Sequence, residues 1–195
     1  MLFRSDFLTL ANGVCGKAAI FLAMDHVREA RADTVYAAGA LIVAALVFDV
    51  MDGRVARARH VASPLGRELD SLADVISFGV APACLAYAVG MTGVCDAIVL
   101  LYFAACGISR LARYNVTAEA MAAETGKVRY FEGTPIPSSV ILVLLIVVLA
   151  WAGKIGASLP FGAVALGPFT LHPLALLFGV SGSLMISKTL HIPKP

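Results

Sequence analysis

Four aspartates lie close together in a chain that carries few charges: Asp49, Asp52, Asp70 and Asp74. Ionised carboxylates at membrane depth are expensive, and several together repel one another unless cations neutralise them. Oxygen ligands favour Mg²⁺, Mn²⁺ or Ca²⁺ over zinc, and four carboxylates suffice for two ions that share bridging oxygens. Two such ions match a substrate with a pyrophosphate, whose charge they would neutralise during phosphoryl transfer. The cluster therefore predicts a divalent metal site.

Helical periodicity divides these aspartates and their small neighbours between two helix faces. One face holds Asp49, Asp52 and Ala56, and the other holds Gly66, Asp70 and Asp74. Pro64 and Gly66 between the two groups favour a break that lets the second segment fold back beside the first. Each aspartate alone has a simpler interpretation as a helix cap or a solvated interfacial residue. The four together predict two facing helices that present carboxylates to one point.

The composition indicates that these helices cross a membrane. Hydrophobic residues make up 59% of the 195 residues and charged residues 14%, whereas about 25% is usual for a soluble domain. Because a spanning helix needs about 20 apolar residues, six windows qualify. They are residues 7–24, 34–51, 72–90, 94–112, 136–152 and 170–187. We expect an all-α integral membrane protein of about six transmembrane helices that forms a single domain over residues 1–195.

The distribution of Lys and Arg predicts the orientation, since cytoplasmic loops are enriched in them. With both termini in the cytoplasm, eleven of the 15 basic residues lie on the cytoplasmic side, three lie opposite, and Lys17 falls within the first span. The carboxylate cluster then faces the cytoplasm, in a multi-pass protein of the cytoplasmic membrane. We expect the first span to stay in the mature protein, because only Arg4 precedes it as a basic residue and no A-x-A-like site follows.

Several other classes of function are disfavoured. The four cysteines form no CxxC pair, which argues against structural zinc and predicts buried free thiols. The net charge of +2 gives no reason to expect nucleic acid as a partner. A cation or solute transporter remains an alternative because buried carboxylates also line ion paths, although paired interrupted spans are missing. A purely structural membrane protein would leave the carboxylate cluster unexplained.

The run from Asp49 to Asp74 reads D-x-x-D-G-x-x-A-R-x8-G-x3-D-x3-D. This run resembles the signature of the CDP-alcohol phosphotransferase family without a departure. The resemblance implies that Asp49, Asp52 and Asp70 ligate two divalent ions, Mg²⁺ or Mn²⁺. It also implies that Asp74 contacts metal and takes the proton from the acceptor hydroxyl.

The same resemblance implies a nucleotide site beside the metals, formed with Asp49 by Gly53, Ala56, Arg57 and Gly66. The small residues leave room for the cytidine and its ribose, and Arg57 supports the nucleotide. Short side chains do allow a flat base to approach a helix closely. The same small residues would equally serve ordinary helix packing, and both interpretations stay open.

Further segments resemble the phosphatidylserine synthase branch of the family. They are Leu69–Ala83, Thr9-Leu-Ala-Asn12 with Gly16, Arg110–Asn115 and Phe131–Pro137. The branch implies transfer of a phosphatidyl group from CDP-diacylglycerol to L-serine with release of CMP, and a homodimer. Inositol, inositol phosphate or glycerol 3-phosphate are the alternative acceptors within the family.

Basic residues outside the signature are candidates for substrate binding. Arg110, Arg113 and Asn115 end the fourth span, and an arginine fork suits a carboxylate such as that of serine. Lys127 and Arg129 would meet lipid phosphate or the anionic membrane surface. Anchoring at the membrane surface is the alternative for both arginines of the fourth span. Lys17 either approaches the acidic cluster or a substrate phosphate, or extends toward the membrane surface.

Overall fold

The computed structural model describes residues 4–59, 64–125, 130–187 and 191–193, with side chains over 7–55, 65–117 and 133–187. Helices dominate this part of the chain. The first four are α1 (Arg4–Glu29), α2 (Ala32–Arg59), α3 (Pro64–Asp74) and α4 (Ala81–Ala88), with a π-helical segment (Val75–Val80) joining the last two. They are followed by α5 (Val94–Thr125), α6 (Val140–Trp151) after a 3₁₀ turn (Ile136–Ser139), and α7 (Ala175–Ile186).

Four helices among the described residues are long and apolar enough to cross a membrane: Phe7–Glu29, Ala32–Val55, Leu65–Ala88 and Val94–Thr117. The 24-residue stretches extend about 36 Å, more than the roughly 30 Å of hydrocarbon. The chain is therefore a membrane protein. The apolar helices Ile136–Trp151 and Ala175–Ile186 are shorter, and 12 residues of α7 extend only about 18 Å. Of the six predicted spans, four are therefore long enough to cross the membrane, and the other two are shorter apolar helices.

The structure corrects several predicted boundaries. The third span covers Leu65–Ala88 instead of residues 72–90, because the helical stretch already begins at Pro64, and proline is well suited to the first turn of a helix. Helix α7 begins at Ala175, since residues before it form an antiparallel hairpin of β2 (Val164–Leu166) and β3 (Phe169–Leu171). Gly167, with φ of 64°, turns the hairpin. A second pair, β1 (Tyr130–Glu132) with β4 (His191–Pro193), was also not predicted.

The bundle is held together by close helix contacts that position the ends of α2 and α3. Helix α1 packs along α2, and α5 packs along α7. In the latter contact the rings of Phe103 and Phe178 meet edge to face at 5.3 Å, a favourable aromatic geometry. Gly182 allows this approach, since a Cβ there would lie 3.1 Å from the Cα of Phe103.

Asp96 caps the start of α5. Its Oδ2 accepts a hydrogen bond of 3.0 Å from the backbone N–H of Gly93, one of the donors that the helix itself leaves unsatisfied.

The four cysteines are free thiols, as predicted, but the prediction that they are buried is confirmed only in part. Cys106 is buried, whereas Cys15, Cys84 and Cys95 are half-buried.

Candidate active site

The carboxylate cluster forms where the end of α2 meets α3. Carboxylate oxygens of Asp49, Asp70 and Asp74 all lie within 4.8 Å of one another. Asp49 and Asp70 are half-buried, and Asp74 is buried. The two helix faces predicted from the spacing do therefore meet. Carboxylate oxygens this close in a poorly solvated place repel one another unless a cation neutralises them. The site therefore fits a hard divalent cation, which prefers oxygen ligands.

Asp52 lies one helical turn from Asp49 but has a different partner. It is buried, and its Oδ2 accepts a hydrogen bond from the hydroxyl of Thr9 on α1. The group of three mutually close carboxylates does not include it. Within the described residues, the structure thus brings together three of the four predicted carboxylates and ties the fourth to α1.

Asp74 is also bonded to α1. The side-chain amide of Asn12 donates a hydrogen bond of 3.0 Å to its Oδ1. Three residues after Asp74, the hydroxyl of Ser77 donates 2.9 Å to the backbone carbonyl of Asn12. These contacts were not predicted, although Thr9, Asn12 and Gly16 belong to a segment that resembles the phosphatidylserine synthase branch. Their spacing of three and four residues, which places them on one helix face, was the available signal.

A π-helical segment begins directly after Asp74. It covers Val75–Val80, and its residues Ser77, Phe78 and Gly79 are buried. Such segments are rare and often occur at functional sites, because they change the direction of the side chains that follow. Nothing in the residue types of this segment predicts the extra residue in the turn.

The predicted nucleotide residues are placed only in part. Gly53 on α2 and Gly66 on α3 are half-buried, on the two helices that carry the carboxylates. Ala56 and Arg57 belong to α2, but their side chains lie outside the described residues. The predictions for Lys127 and Arg129 also fall outside the described residues.

The predicted acceptor residues lie on α5, beside α3. Arg110 is 6% exposed, and its guanidinium attracts the carboxylate of Asp74 electrostatically. The guanidinium also lies 5.9 Å from the centre of the Tyr114 ring, a cation–π contact. Among the three predicted acceptor residues, Arg110 is therefore the one whose charge acts on the carboxylate of Asp74. Its Nε has no hydrogen-bond partner within the described part of the chain.

Two other predicted acceptor residues make interhelical contacts. Arg113 Nη1 donates 3.1 Å to the carbonyl of Ile186 and so ties α5 to the end of α7. The Asn115 amide donates 3.0 Å to the hydroxyl of Ser71, which holds α5 beside the residue that follows Asp70. Both side chains thus have a packing role, independent of any role in acceptor binding.

Lys17 lies away from the carboxylates. Lys17 is exposed, and its Nζ lies 6.0 Å from the centre of the Phe21 ring. This position fits a side chain that extends along the outer face of α1.

An apolar groove of about 710 Å³ between α1, α4 and α5 is lined by residues such as Ala23, Cys84 and Leu100. None of the predicted site residues lines this groove.

Comparison with known proteins gives a consistent result. The family model described as CDP-alcohol phosphatidyltransferase matches residues 2–180. A curated relative from Saccharomyces cerevisiae, named CDP-diacylglycerol–serine O-phosphatidyltransferase, is 41% identical over 197 residues, which cover 100% of this chain and 71% of the relative. A protein of the same name from Bacillus subtilis is 31% identical over 93% of this chain and 85% of its own length. Another from Helicobacter pylori is 42% identical over 68% of this chain and 54% of its own length.

The family match spans both helices of the carboxylate cluster, and the structure brings three signature aspartates together in space. The two relatives that match over most of their length have the same name. On these grounds the chain belongs to the CDP-alcohol phosphatidyltransferase family.

Proposed function

We propose that this protein transfers the phosphatidyl group of CDP-diacylglycerol to L-serine, giving phosphatidylserine and CMP. The observation that carries the proposal is the group of Asp49, Asp70 and Asp74, whose oxygens lie within 4.8 Å of one another at the end of two apolar helices. The relatives named for this reaction support serine as the acceptor.

We propose Mg²⁺ or Mn²⁺ as the cofactor, with two ions held by Asp49, Asp52, Asp70 and Asp74. When bound, such ions neutralise the pyrophosphate of the donor and the charge that develops on the departing CMP. The donor set supports this, because clustered carboxylate oxygens suit hard cations and need their charge. The hydrogen bond from Thr9 leaves Asp52 further acceptor capacity, since an ionised carboxylate has about four lone-pair sites.

The proposed step is a direct displacement at phosphorus. The serine hydroxyl oxygen attacks the phosphorus that bears the diacylglycerol, a new P–O bond forms, and the P–O bond to CMP breaks. Asp74 takes the hydroxyl proton, a task that requires only hydrogen-bond reach. Arg110 would bind the serine carboxylate through its guanidinium fork, beside Asp74. A phosphatidyl-enzyme intermediate or retention of configuration at phosphorus would contradict direct displacement.

Neighbouring residues would hold the rest of the substrates. Gly53, Ala56 and Gly66 would leave room for the cytidine and ribose, and Arg57 would support the nucleotide. Arg113 and Asn115 would assist acceptor binding from α5, and Lys127 and Arg129 would meet lipid phosphate. These roles are proposed on the family signature and on the position of the residues along the chain.

The membrane arrangement is part of the proposal. We place both termini and the carboxylate cluster at the cytoplasmic face of the cytoplasmic membrane, with α6 and α7 as the two further spans of one domain. The excess of Lys and Arg on that side supports the orientation. A homodimer is expected from the family resemblance. Light scattering of the detergent-solubilised protein, corrected for bound detergent, measures the oligomeric state directly.

The test is CMP release by the purified protein from CDP-diacylglycerol with Mg²⁺ or Mn²⁺. Serine, glycerol 3-phosphate, inositol phosphate and no acceptor are compared, with and without a chelator. Asp74→Asn is the inactive variant, and Asp33→Asn, at an exposed carboxylate near the start of α2, is its matched control.

Serine-dependent, metal-dependent release that is lost only in Asp74→Asn supports the reaction and the base. Release of CMP with another acceptor and not with serine would support the transfer reaction but refute serine as the acceptor. No release with any acceptor would refute the transferase and favour the alternative of ion or solute transport.

A further inference from the structure

One face of α1 contacts the carboxylate cluster from a third side. Thr9, Asn12 and Gly16 are spaced by three and four residues, so they lie on the same face of the helix. Thr9 donates a hydrogen bond to Asp52, and Asn12 donates one to Asp74. The proposed reaction assigns neither side chain a role.

The contact between Asn12 and Asp74 has a defined direction. An ionised carboxylate only accepts hydrogen bonds, so the amide nitrogen of Asn12 must face it, and the Nδ2 to Oδ1 distance is 3.0 Å. One oxygen of Asp74 is thereby fixed by the protein. In the proposed reaction, the other oxygen is the one available to the reacting groups.

Asn12 is itself held firmly in place. Its backbone carbonyl accepts a 2.9 Å hydrogen bond from Ser77, in the π-helical segment after Asp74. Gly16 brings the helices close enough for this bond, since a Cβ there would lie 2.6 Å from the Cα of Ser77. The amide donor therefore has a fixed position relative to the segment that follows Asp74.

The chemistry of Asn12 fits orientation better than stability. An amide donor is neutral, so it orients Asp74 without neutralising the negative charge that attracts cations, as an Arg or Lys would. Asn12 is completely buried, yet its Oδ1 has no hydrogen-bond partner within the part of the chain that the structure describes. A buried acceptor without a partner costs free energy. A residue retained only for packing would not carry that cost.

We propose that Asn12 is a positioning residue for Asp74: its amide fixes Oδ1, so that Oδ2 is directed at the hydroxyl of the acceptor. The inference rests on the proposed function, because it concerns the base of that reaction. Asn12 acts through Asp74 and touches no substrate. Its loss therefore lowers the rate of the chemical step and leaves substrate binding nearly unchanged.

The test compares Asn12→Leu, which has a similar volume and no donor, with Asn12→Gln and Asn12→Ser, which keep a neutral donor. For Asn12→Leu we expect kcat to fall about 10- to 100-fold, the usual effect of losing a residue that orients a ligand of a metal site. KM for serine and for CDP-diacylglycerol should stay near the wild-type values. At least one donor-retaining variant should recover part of kcat.

A readout without turnover separates orientation from structure. The unfolding midpoint of each variant is measured with and without Mn²⁺ and CMP. Asn12→Leu should keep its midpoint and most of the shift that the ligands cause, because the other three aspartates proposed to hold the ions are unchanged. Gly13→Ala is the matched control on the adjacent position, since its Cβ would lie 3.5 Å from the Cβ of Ala73, an ordinary contact, and it should retain the wild-type kcat.

Each remaining outcome overturns the inference. Wild-type kcat in Asn12→Leu would show that Asp74 needs no orientation by α1. A fall in kcat matched by a lower midpoint, by a lost ligand shift or by an equal loss in Gly13→Ala would show a structural or binding role. Equally low kcat in all three Asn12 variants would exclude the donor as the cause. No CMP release by the wild-type protein would overturn the proposed function, and this inference with it.

Discussion

Nδ1 of His172 lies 2.6 Å from Oδ2 of Asp96, although 76 positions separate the two residues in the chain. The backbone N–H of His172 also donates 2.7 Å to Oδ1 of the same carboxylate. Asp96 is completely buried, so it joins the start of α5 to the segment that leads from the β2–β3 hairpin into α7. This contact involves none of the residues of the carboxylate cluster.

Asp96→Asn should therefore destabilise the protein without changing its chemistry. The amide has one acceptor oxygen in place of two and carries no charge, so we expect a loss of about 1.5 to 3 kcal/mol, the usual worth of a hydrogen bond to a charged group. The measurement is thermal unfolding in detergent, with kcat determined well below the midpoint. Asp25→Asn, at a half-buried carboxylate on α1, serves as the control. An unchanged midpoint in Asp96→Asn would contradict the joining role.

Two glycines on α1 should respond differently to one added methyl group. A Cβ on Gly16 would lie 2.6 Å from the Cα of Ser77, whereas a Cβ on Gly13 would lie 3.5 Å from its nearest neighbour. Gly16→Ala forces α1 and the π-helical segment apart, at a cost of about 1 to 3 kcal/mol for overpacking. We expect a lower unfolding midpoint and lower CMP release in this variant alone. Equal midpoints for the two alanine variants would refute the close contact at Gly16.

Sequence analysis predicted what lies within one helix and missed what lies between helices. The spacing of Asp49, Asp70 and Asp74 and the break at Pro64 sufficed to predict a cluster of carboxylates, because each is a local property. Asn12 and Asp74 are 62 positions apart, and helical periodicity does not fix the register of one helix against another. The contacts of α1 with the carboxylate cluster could therefore be found only from the structure.

The boundaries of the later elements were predicted less well for a related reason. The last span was predicted to begin at residue 170, but Gly167 and the prolines at 168 and 173 direct the chain into a hairpin before α7 begins. Hydropathy does not distinguish exposed hairpin residues from the start of a helix. Tertiary contacts of His172 with Asp96 decide where the last helix starts.

Arg110→Ala should weaken serine binding more than binding of the lipid donor. The Arg110 side chain is buried and its charge acts on Asp74, and its loss removes the charge proposed to meet the serine carboxylate. Loss of a charged hydrogen bond worth about 1.5 to 3 kcal/mol corresponds to a roughly 10- to 150-fold higher apparent KM for serine. KM for CDP-diacylglycerol should change little. Equal effects on both constants would exclude the carboxylate role.

Arg113→Ala provides a comparison on the same helix. We expect a selective rise in KM for serine here as well, but with a lower unfolding midpoint, since Arg113 bonds the carbonyl of Ile186 at the end of α7. Arg28→Ala is the control, because Arg28 is exposed near the end of α1 and far along that helix from Asn12. A midpoint for Arg113→Ala equal to that of the control would argue against the tie to α7.

Metal ions should stabilise the folded protein, and Asp70 should be needed for it. Ligands that bind only the native state add RT ln(1 + [L]/Kd), about 2.7 kcal/mol at a concentration of 100 Kd. Titration of the unfolding midpoint with Mn²⁺ measures this effect without turnover. Asp70→Asn removes one of the three oxygen donors that lie within 4.8 Å of one another, so its shift should be much smaller. Asp33→Asn should keep the full shift, because that carboxylate is exposed and paired with Arg31. If Asp70→Asn responds to Mn²⁺ as the wild-type protein does, the ions that stabilise the fold bind elsewhere, and the cluster loses its assignment as the metal site.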